Sequence, residues 1–137
     1  IRDLRRSRGL GDVYKRQKVD IIKLKDKLSL IHDYWNPKIV GELNGQYVKL
    51  AKIKGEFIWH KHEHEDEFFM VLEGKLIIEM RDKKVVLNKN DCYIVPKGVE
   101  HKPIANEEVS IMMFEPMTTL NTGEKENERT VKDLERI

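Results

Sequence analysis

The chain has 137 residues, with 26 lysines and arginines against 24 aspartates and glutamates, so its formal net charge is +2. This length predicts one domain rather than two, and the absence of any run of about 18 apolar residues argues against a membrane-spanning helix. A single cysteine, Cys92, excludes an internal disulfide and favours a reducing cytoplasm. We expect its side chain to be a small buried hydrophobic group.

Residues 1–17 hold six of the basic residues and two of the acidic ones. The segment 7–17 has the sequence of a translated sequencing adapter, so we expect 1–17 to be an artefact fused to the gene. The alternative is a basic arm that binds nucleic acid. Without these residues the chain has 20 basic and 22 acidic residues, a net charge of −2. Nucleic-acid binding then loses its support.

The remaining chain has the pattern of short strands. Residues 18–37 form an apolar-spaced lead-in, a short strand or helix, and the dipeptide Asn44-Gly45 is a strong hairpin signal between two strands. Residues 117–137 are a polar tail, and its end is predicted to form a short helix. Strand segments are predicted at 39–43, 46–53, 60–62, 67–72, 75–80, 85–87, 93–95, 101–105 and 109–114. This pattern indicates an all-β fold.

Three histidines and a glutamate are spaced like the ligands of a metal ion. His60 and His62 are one residue apart, so on a strand they point to the same side with Cα atoms about 6–7 Å apart. Glu67 follows after a short polar bend, and His101 can join them only if the sheet brings it back. A His-x-His pair alone is more often exposed to solvent. His64, in the acidic bend, is predicted to be exposed and not a ligand.

At these residues the chain resembles the cupin superfamily. The first cupin motif maps onto Gly55, His60, His62, Glu67 and Gly74, and the second onto Pro96, Gly98 and His101. In the second motif Asn90 replaces a glycine and Ala105 replaces an asparagine. The resemblance implies a small double-stranded β-helix, or jelly-roll, barrel over residues 38–116 with short N- and C-terminal extensions. It also implies a metal site made of His60, His62, Glu67 and His101.

The alternation of residues along the strands predicts which side chains face the barrel interior. On the ligand strands these are Ile58, His60 and His62, followed by Glu67, Phe69 and Val71. The interior is predicted to be mostly apolar, and its candidate lining residues, about half of which must face outward or lie at the rim, are Phe57, Trp59, Phe69, Met70, Met112 and Phe114.

Three imidazoles and one carboxylate suit one divalent transition metal ion: Fe, Mn, Zn, Ni, Co or Cu. Four protein ligands on an octahedral ion leave two positions for water, substrate or oxygen. We therefore expect a metal-dependent oxygenase or isomerase that acts on a small molecule. The alternatives are a non-catalytic module that binds a small ligand and a structural cupin whose metal stabilises the fold. Candidates for a general base, each more often a surface or packing residue, are Tyr47, Glu79, Tyr93 and Glu100.

Two further expectations concern partners. Outside 1–17 the only arginines are Arg81, Arg129 and Arg136, and none lies in either motif, which argues against a phosphorylated substrate. The lead-in and the tail are short apolar segments, so we expect a homodimer in which one of them crosses to the partner subunit.

Overall fold

The computed structural model describes residues 20–137, and the proposed artefact at 1–17 lies outside them. The described residues form one short helix and seven strands. The helix, α1, spans Leu24–Leu28 in the lead-in. The strands are β1 Lys38–Leu43, β2 Gln46–Glu56, β3 Glu67–Glu73, β4 Leu76–Met80, β5 Lys84–Leu87, β6 Cys92–Val95 and β7 His101–Pro116. The all-β prediction is confirmed.

Strand β7 is the centre of the fold. The sheet has the order β1-β2-β7-β3-β6, and β4, which carries β5 on its other side, also pairs with β7. The first residues of β7 pair with β4, and its later residues pair with β3, while β2 runs antiparallel along most of its length. The long strand β7 therefore joins the β4–β5 pair to the strands β1, β2, β3 and β6, as in a jelly roll.

The structure corrects the prediction of separate strands at 101–105 and 109–114, because β7 is continuous. Ile53 of β2 pairs with Val109, whereas Gly55 pairs with Ala105, so β7 has two more residues than β2 between these pairs. The extra length is a bulge at the exposed residues 106–108. In sequence these polar residues resemble a turn, but a bulge bends a strand without ending it.

The interior follows the predicted alternation. In β3 the side chains of Glu67, Phe69 and Val71 are buried, while Phe68 and Met70 are only half-buried on the opposite face. Branched and aromatic side chains fill the core, and burying one of these completely stabilises the fold by about 1.5–3 kcal/mol. The buried cluster consists of Ala51, Ile53, Phe69, Val71, Leu76, Ile78, Met80, Leu87, Val95, Ala105, Val109, Ile111 and Met113.

The predicted C-terminal helix is wrong. Residues 117–137 contain only turns and irregular chain, with Arg136 in an isolated parallel bridge to Ile39. The Ile39 amide donates to the Glu135 carbonyl at 2.8 Å, and the Ile137 amide donates to the Ile39 carbonyl at 3.1 Å. An eight-residue segment forms a helix only marginally, and here the edge of β1 supplies its backbone partners instead.

Two smaller predictions also fail. Residues 60–62 are not a strand, since only His60 makes a bridge, to His101. Cys92 is exposed rather than buried. It pairs with Met70 on β3, whose side chain is on the outer face of the sheet, whereas the alternate residues Tyr93 and Val95 are half-buried and buried. The strand assignment was right, and the alternation along it places the thiol outside.

Candidate metal centre

Two of the four predicted residues begin strands, and the other two lie in the segment between β2 and β3. Glu67 is the first residue of β3 and His101 is the first residue of β7. His60 lies opposite His101, and the two residues exchange backbone hydrogen bonds of 3.1 and 2.9 Å. The amide of Gly98 donates to the carbonyl of His62 at 2.7 Å, which connects the second motif to the first. Backbone contacts therefore fix the segments that carry all three histidines.

The structure brings the four side chains together in the interior. One nitrogen or oxygen atom from each of His60, His62, Glu67 and His101 lies within 4.8 Å of those of the others. Glu67 Oε1 is 3.1 Å from His101 Nε2 and 3.3 Å from His62 Nε2. The four residues are at most 3% exposed. His64 is exposed and lies outside this group, as predicted.

Hydrogen bonds to carbonyl groups orient two of the rings. His60 Nδ1 donates to the Ile58 carbonyl and His101 Nδ1 donates to the Val99 carbonyl, each at 2.9 Å. Because a carbonyl oxygen can only accept, the proton of each neutral ring is on Nδ1 and Nε2 keeps its lone pair. The His101 lone pair then meets the Glu67 oxygen at 3.1 Å. Two acceptors at this distance need a cation or an added proton between them.

His62 provides a second test of whether a metal ion fits. Neither of its ring nitrogens has a hydrogen bond of good geometry, although both are buried. Buried polar atoms without partners are rare in folded proteins. A metal ion bound to Nε2 would supply the missing partner on the side of Glu67. The donor set of three imidazoles and a carboxylate also suits first-row divalent ions.

The pKa shifts of His60 and Glu67 favour cation binding, whereas that of His62 favours a proton on the ring. Burial, assisted by the neighbouring His101 ring, lowers the pKa of His60 to about 4, so this ring is neutral at pH 7. Burial opposes ionisation of Glu67, but the His101 and His62 rings beside it outweigh burial and hold the pKa of this carboxyl well below its usual range. At His62 burial lowers the pKa, but the adjacent Glu67 carboxylate outweighs it and the net shift is upward.

Behind this group lies a buried ion pair that the sequence analysis missed. Lys49 Nζ is 2.7 Å from Glu115 Oε1, and their side chains are 2% and 1% exposed. Glu115 also occupies the position opposite Glu67 on the neighbouring strand, since Phe68 pairs with Phe114. Burial and the negative charge of Glu67 raise the pKa of Glu115 well above its usual value. The available signal was alternation, since Lys49 lies two residues before the interior residue Ala51, and Glu115 lies two residues after Met113.

A small cavity of about 40 Å³ adjoins His60 and Glu67. Its volume corresponds to about three water molecules. Phe57 and Phe69 line it as predicted. Trp59, Met70, Met112 and Phe114 do not, and Met113 lines it in place of its neighbour. The full lining is Trp35, Pro37, Ala51, Ile53, Phe57, His60, Glu67, Phe69, Pro103, Ile111, Met113 and Asn121.

Residues from both extensions complete this cavity, which the motifs did not predict. Trp35 of the lead-in stacks on Phe57 with ring centroids 4.8 Å apart, and its indole Nε1 donates to the Lys54 carbonyl at 2.9 Å. Asn121 of the tail contributes an amide side chain to the wall. None of the four predicted candidates for a general base lines the cavity; Glu100, for example, pairs with Arg81 at the surface.

The tail also supports the segment that carries His60 and His62. The amide of Glu124 donates to the Lys61 carbonyl at 3.2 Å, between the two histidines. Gly123 passes so close that a Cβ atom there would overlap the same carbonyl oxygen, and it would lie 3.4 Å from His60 Cδ2. Thr122, the preceding residue, is completely buried. The tail therefore braces the histidine segment where no strand does.

Comparison with known proteins agrees with this geometry. A family model described as the Cupin domain matches residues 46–115, about half of the chain. The chain belongs to the cupin family. It is 45% identical over 64 residues to the uncharacterized protein YdbB of Bacillus subtilis strain 168, which covers 46% of this chain and 57% of YdbB. The chain thus spans little more than half the length of that relative.

Solved structures show the same fold. A cupin-2 domain protein from Shewanella frigidimarina is 47% identical, with a TM-score of 0.69 over 70% of this cupin and 94% of that chain. Protein NMB1881 from Neisseria meningitidis is 28% identical, with a TM-score of 0.66 over 71% and 99% of the two chains. Hydroquinone 1,2-dioxygenase PnpCD in complex with Fe³⁺ has a TM-score of 0.64 at 15% identity, over 74% of this cupin and 33% of the enzyme chain. This last likeness is one of fold alone. Within residues 20–137, no helix is long and apolar enough to cross a membrane.

Proposed function

We propose that this cupin binds one divalent transition metal ion through His60, His62, Glu67 and His101 and uses it to act on a small molecule. The observation that carries the proposal is the orientation of His60 and His101. Carbonyl groups hold the Nδ1 protons of both rings, so that both Nε2 lone pairs are available for the ion. At His101 this lone pair faces the Glu67 carboxylate. Such a bound ion would polarise an oxygen atom of a substrate or activate a water molecule.

The side chains around the ion would determine which molecules bind. Most of the cavity wall is apolar, and among the described residues no lysine or arginine lines it. This favours an uncharged ligand with an apolar body and one or two donor atoms directed toward Glu67 and His60. The Asn121 side chain in the wall is held by the tail, since its Nδ2 donates to the Arg129 carbonyl at 2.7 Å and its Oδ1 accepts from the Val131 amide at 2.9 Å. A phosphorylated substrate is disfavoured because no described lysine or arginine side chain lines the wall to pair with its phosphate group.

We propose an oxygenase or an isomerase as the reaction class. The first experiment is oxygen uptake by the iron-loaded protein with catechol, a small uncharged diol, with His101→Ala as the control. Uptake that depends on both catechol and His101 supports an oxygenase. If catechol binds and no oxygen is consumed, then the isomerase and the non-catalytic alternative remain for this site.

The alternative is a non-catalytic module that binds a small ligand, or whose metal only stabilises the fold. It is favoured by the absence, among the described lining residues, of the candidate general bases Tyr47, Glu79, Tyr93 and Glu100. Equilibrium binding distinguishes the two forms of this alternative. A ligand-binding module binds catechol more tightly with metal than without it, whereas a structural metal raises thermal stability and leaves catechol binding unchanged.

We also propose a homodimer in the cytoplasm. The lead-in and the tail both contact their own barrel, so a more suitable surface is the outer face of the sheet. There Phe68 and Phe114 pair across strands next to Ile94, which is 56% exposed. An Ile94→Asp variant that sediments as a monomer, beside a dimeric wild type, would support this interface; a wild-type monomer at micromolar concentration contradicts it. The exposed thiol of Cys92 suits a reducing compartment.

A further inference from the structure

We propose that Lys49 and Glu115 are positioning residues that hold the Glu67 carboxylate in the orientation it needs to bind a metal ion. This inference rests on the proposed function, because it assumes that Glu67 is a ligand. Neither residue belongs to the four-residue group or to either cupin motif.

The sheet register places the three side chains together. Tyr47 of β2 pairs with Glu115 of β7, so Lys49 is the diagonal neighbour of Glu115 on the interior face. Phe68 of β3 pairs with Phe114, so Glu67 and Glu115 occupy the next opposite positions on their strands. Two carboxyl groups are therefore opposed across neighbouring strands in the interior. Such a pair is destabilising unless a cation or a shared proton compensates it.

The Lys49 side chain provides the compensating cation. The Lys49 ammonium lies 2.7 Å from Glu115 Oε1, and both side chains are at least 98% buried. The second oxygen, Glu115 Oε2, is buried without a hydrogen-bond partner among the described residues. Glu67 thus has two sets of buried neighbours: the His62 and His101 nitrogens beside Oε1, and the Lys49–Glu115 ion pair, which begins at the opposite position on the next strand.

A buried ion pair of this kind is a poor means of stabilising a fold. Removing two charges from water costs several kcal/mol per ion, and well-packed apolar residues often stabilise an interior equally well. The pair has a clearer role as an outer support of a ligand. Partners that fix a ligating carboxylate typically contribute about 10–100-fold to metal affinity.

The test is the titration of Co²⁺ into the metal-free full chain, with affinity and the visible absorption spectrum as readouts. Glu115→Leu removes the polar neighbour of Glu67 and leaves the buried Lys49 unpaired, so we expect affinity to fall about 10–100-fold and the spectrum to change. Glu115→Gln keeps a carbonyl that can accept from Lys49 and an amide that can donate to Glu67, and its affinity should stay within about threefold of the wild type. If Glu115→Leu does not fold, Lys49→Met is the replacement, and it should also weaken binding.

The matched control is Lys38→Met. Lys38 is also buried, and its ion-pair partners are Asp33 and Glu135, each at 3.3 Å, neither of which belongs to the metal group. This variant should lose thermal stability but keep the Co²⁺ affinity and spectrum of the wild type. An unchanged affinity in Glu115→Leu, or an equal loss in Lys38→Met, overturns the inference. A wild type that does not bind Co²⁺ rejects the proposed function as well.

Discussion

Replacing Gly123 by alanine should weaken metal binding, although Gly123 is not a proposed ligand. Its φ angle is +63°, a conformation that costs an L-residue about 1–2 kcal/mol. The added Cβ would also overlap the Lys61 carbonyl oxygen, which lies between His60 and His62. The carbonyl oxygen is a backbone atom, and the Cβ atom is attached directly to the backbone. Neither can move by a side-chain rotation, so the tail or the histidine segment must shift.

The magnitude follows from these contacts. Backbone strain contributes about 1 kcal/mol, and loss of the hydrogen bond from Glu124 to Lys61 contributes about another 1 kcal/mol. Exposure of the buried residue Thr122 adds to this loss. A total of about 2–3 kcal/mol corresponds to a decrease in Tm of about 8–12 °C for a chain of this size. Displacement of the histidine segment should also lower Co²⁺ affinity by about tenfold or more.

The assay combines thermal unfolding followed by circular dichroism with Co²⁺ titration, and Gly45→Ala is the control. Gly45 has a similar φ angle of +77°, but its Cβ would meet no atom within 4 Å. The control should therefore show the strain alone, about 1 kcal/mol, with unchanged metal affinity. If Gly123→Ala loses no more stability than Gly45→Ala and binds Co²⁺ as the wild type does, the tail does not support the histidine segment.

Three further predictions concern single groups. The folded-state pKa of His60, about 4, lies below its unfolded value of about 6.5, so the unfolded chain binds more protons between these limits. The His60 contribution to the free energy of unfolding should thus fall by up to about 3 kcal/mol as pH decreases from 6.5 to 4. Urea unfolding of the metal-free wild type and of His60→Ala across this pH range measures the contribution. Identical pH profiles of the two proteins would contradict the prediction. Cys92 should react with a thiol reagent in the native state, and Cys92→Ser should retain full metal binding; a thiol that reacts only after unfolding would refute the exposed position. Catechol binding should quench the fluorescence of Trp35, measured in a Trp59→Phe background to leave one tryptophan, and unchanged emission at saturation would exclude binding beside the Trp35–Phe57 stack.

The sequence predicted the group of four well, because its residues occur at motif spacing. His60 and His62 fall in the first motif with Glu67, and the structure brings His101 to them through a backbone bridge. Alternation along β3 also predicted correctly that Glu67, Phe69 and Val71 are buried. Burial along a single strand can be predicted from sequence because alternate side chains point to opposite faces of the sheet.

The errors involve contacts between distant segments, which no local pattern reports. The tail has the spacing of a helix, but the free edge of β1 at Ile39 binds its backbone instead. The support behind Glu67 depends on the register of β2 against β7, which brings Lys49 to Glu115 across 66 positions of sequence. Charged residues on a strand are usually exposed, so inward alternation alone does not predict that Lys49 and Glu115 form a buried ion pair.

The central claim is that His60, His62, Glu67 and His101 bind one metal ion. The most direct test is elemental analysis of the purified full chain after metal loading and removal of excess ion, for the wild type, His101→Ala and His64→Ala. His64 is the matched control because it is a histidine of the same segment that is exposed and outside the group. We expect about one ion per chain in the wild type and in His64→Ala, and less than about a tenth of that in His101→Ala. A full complement of metal in His101→Ala would contradict the claim.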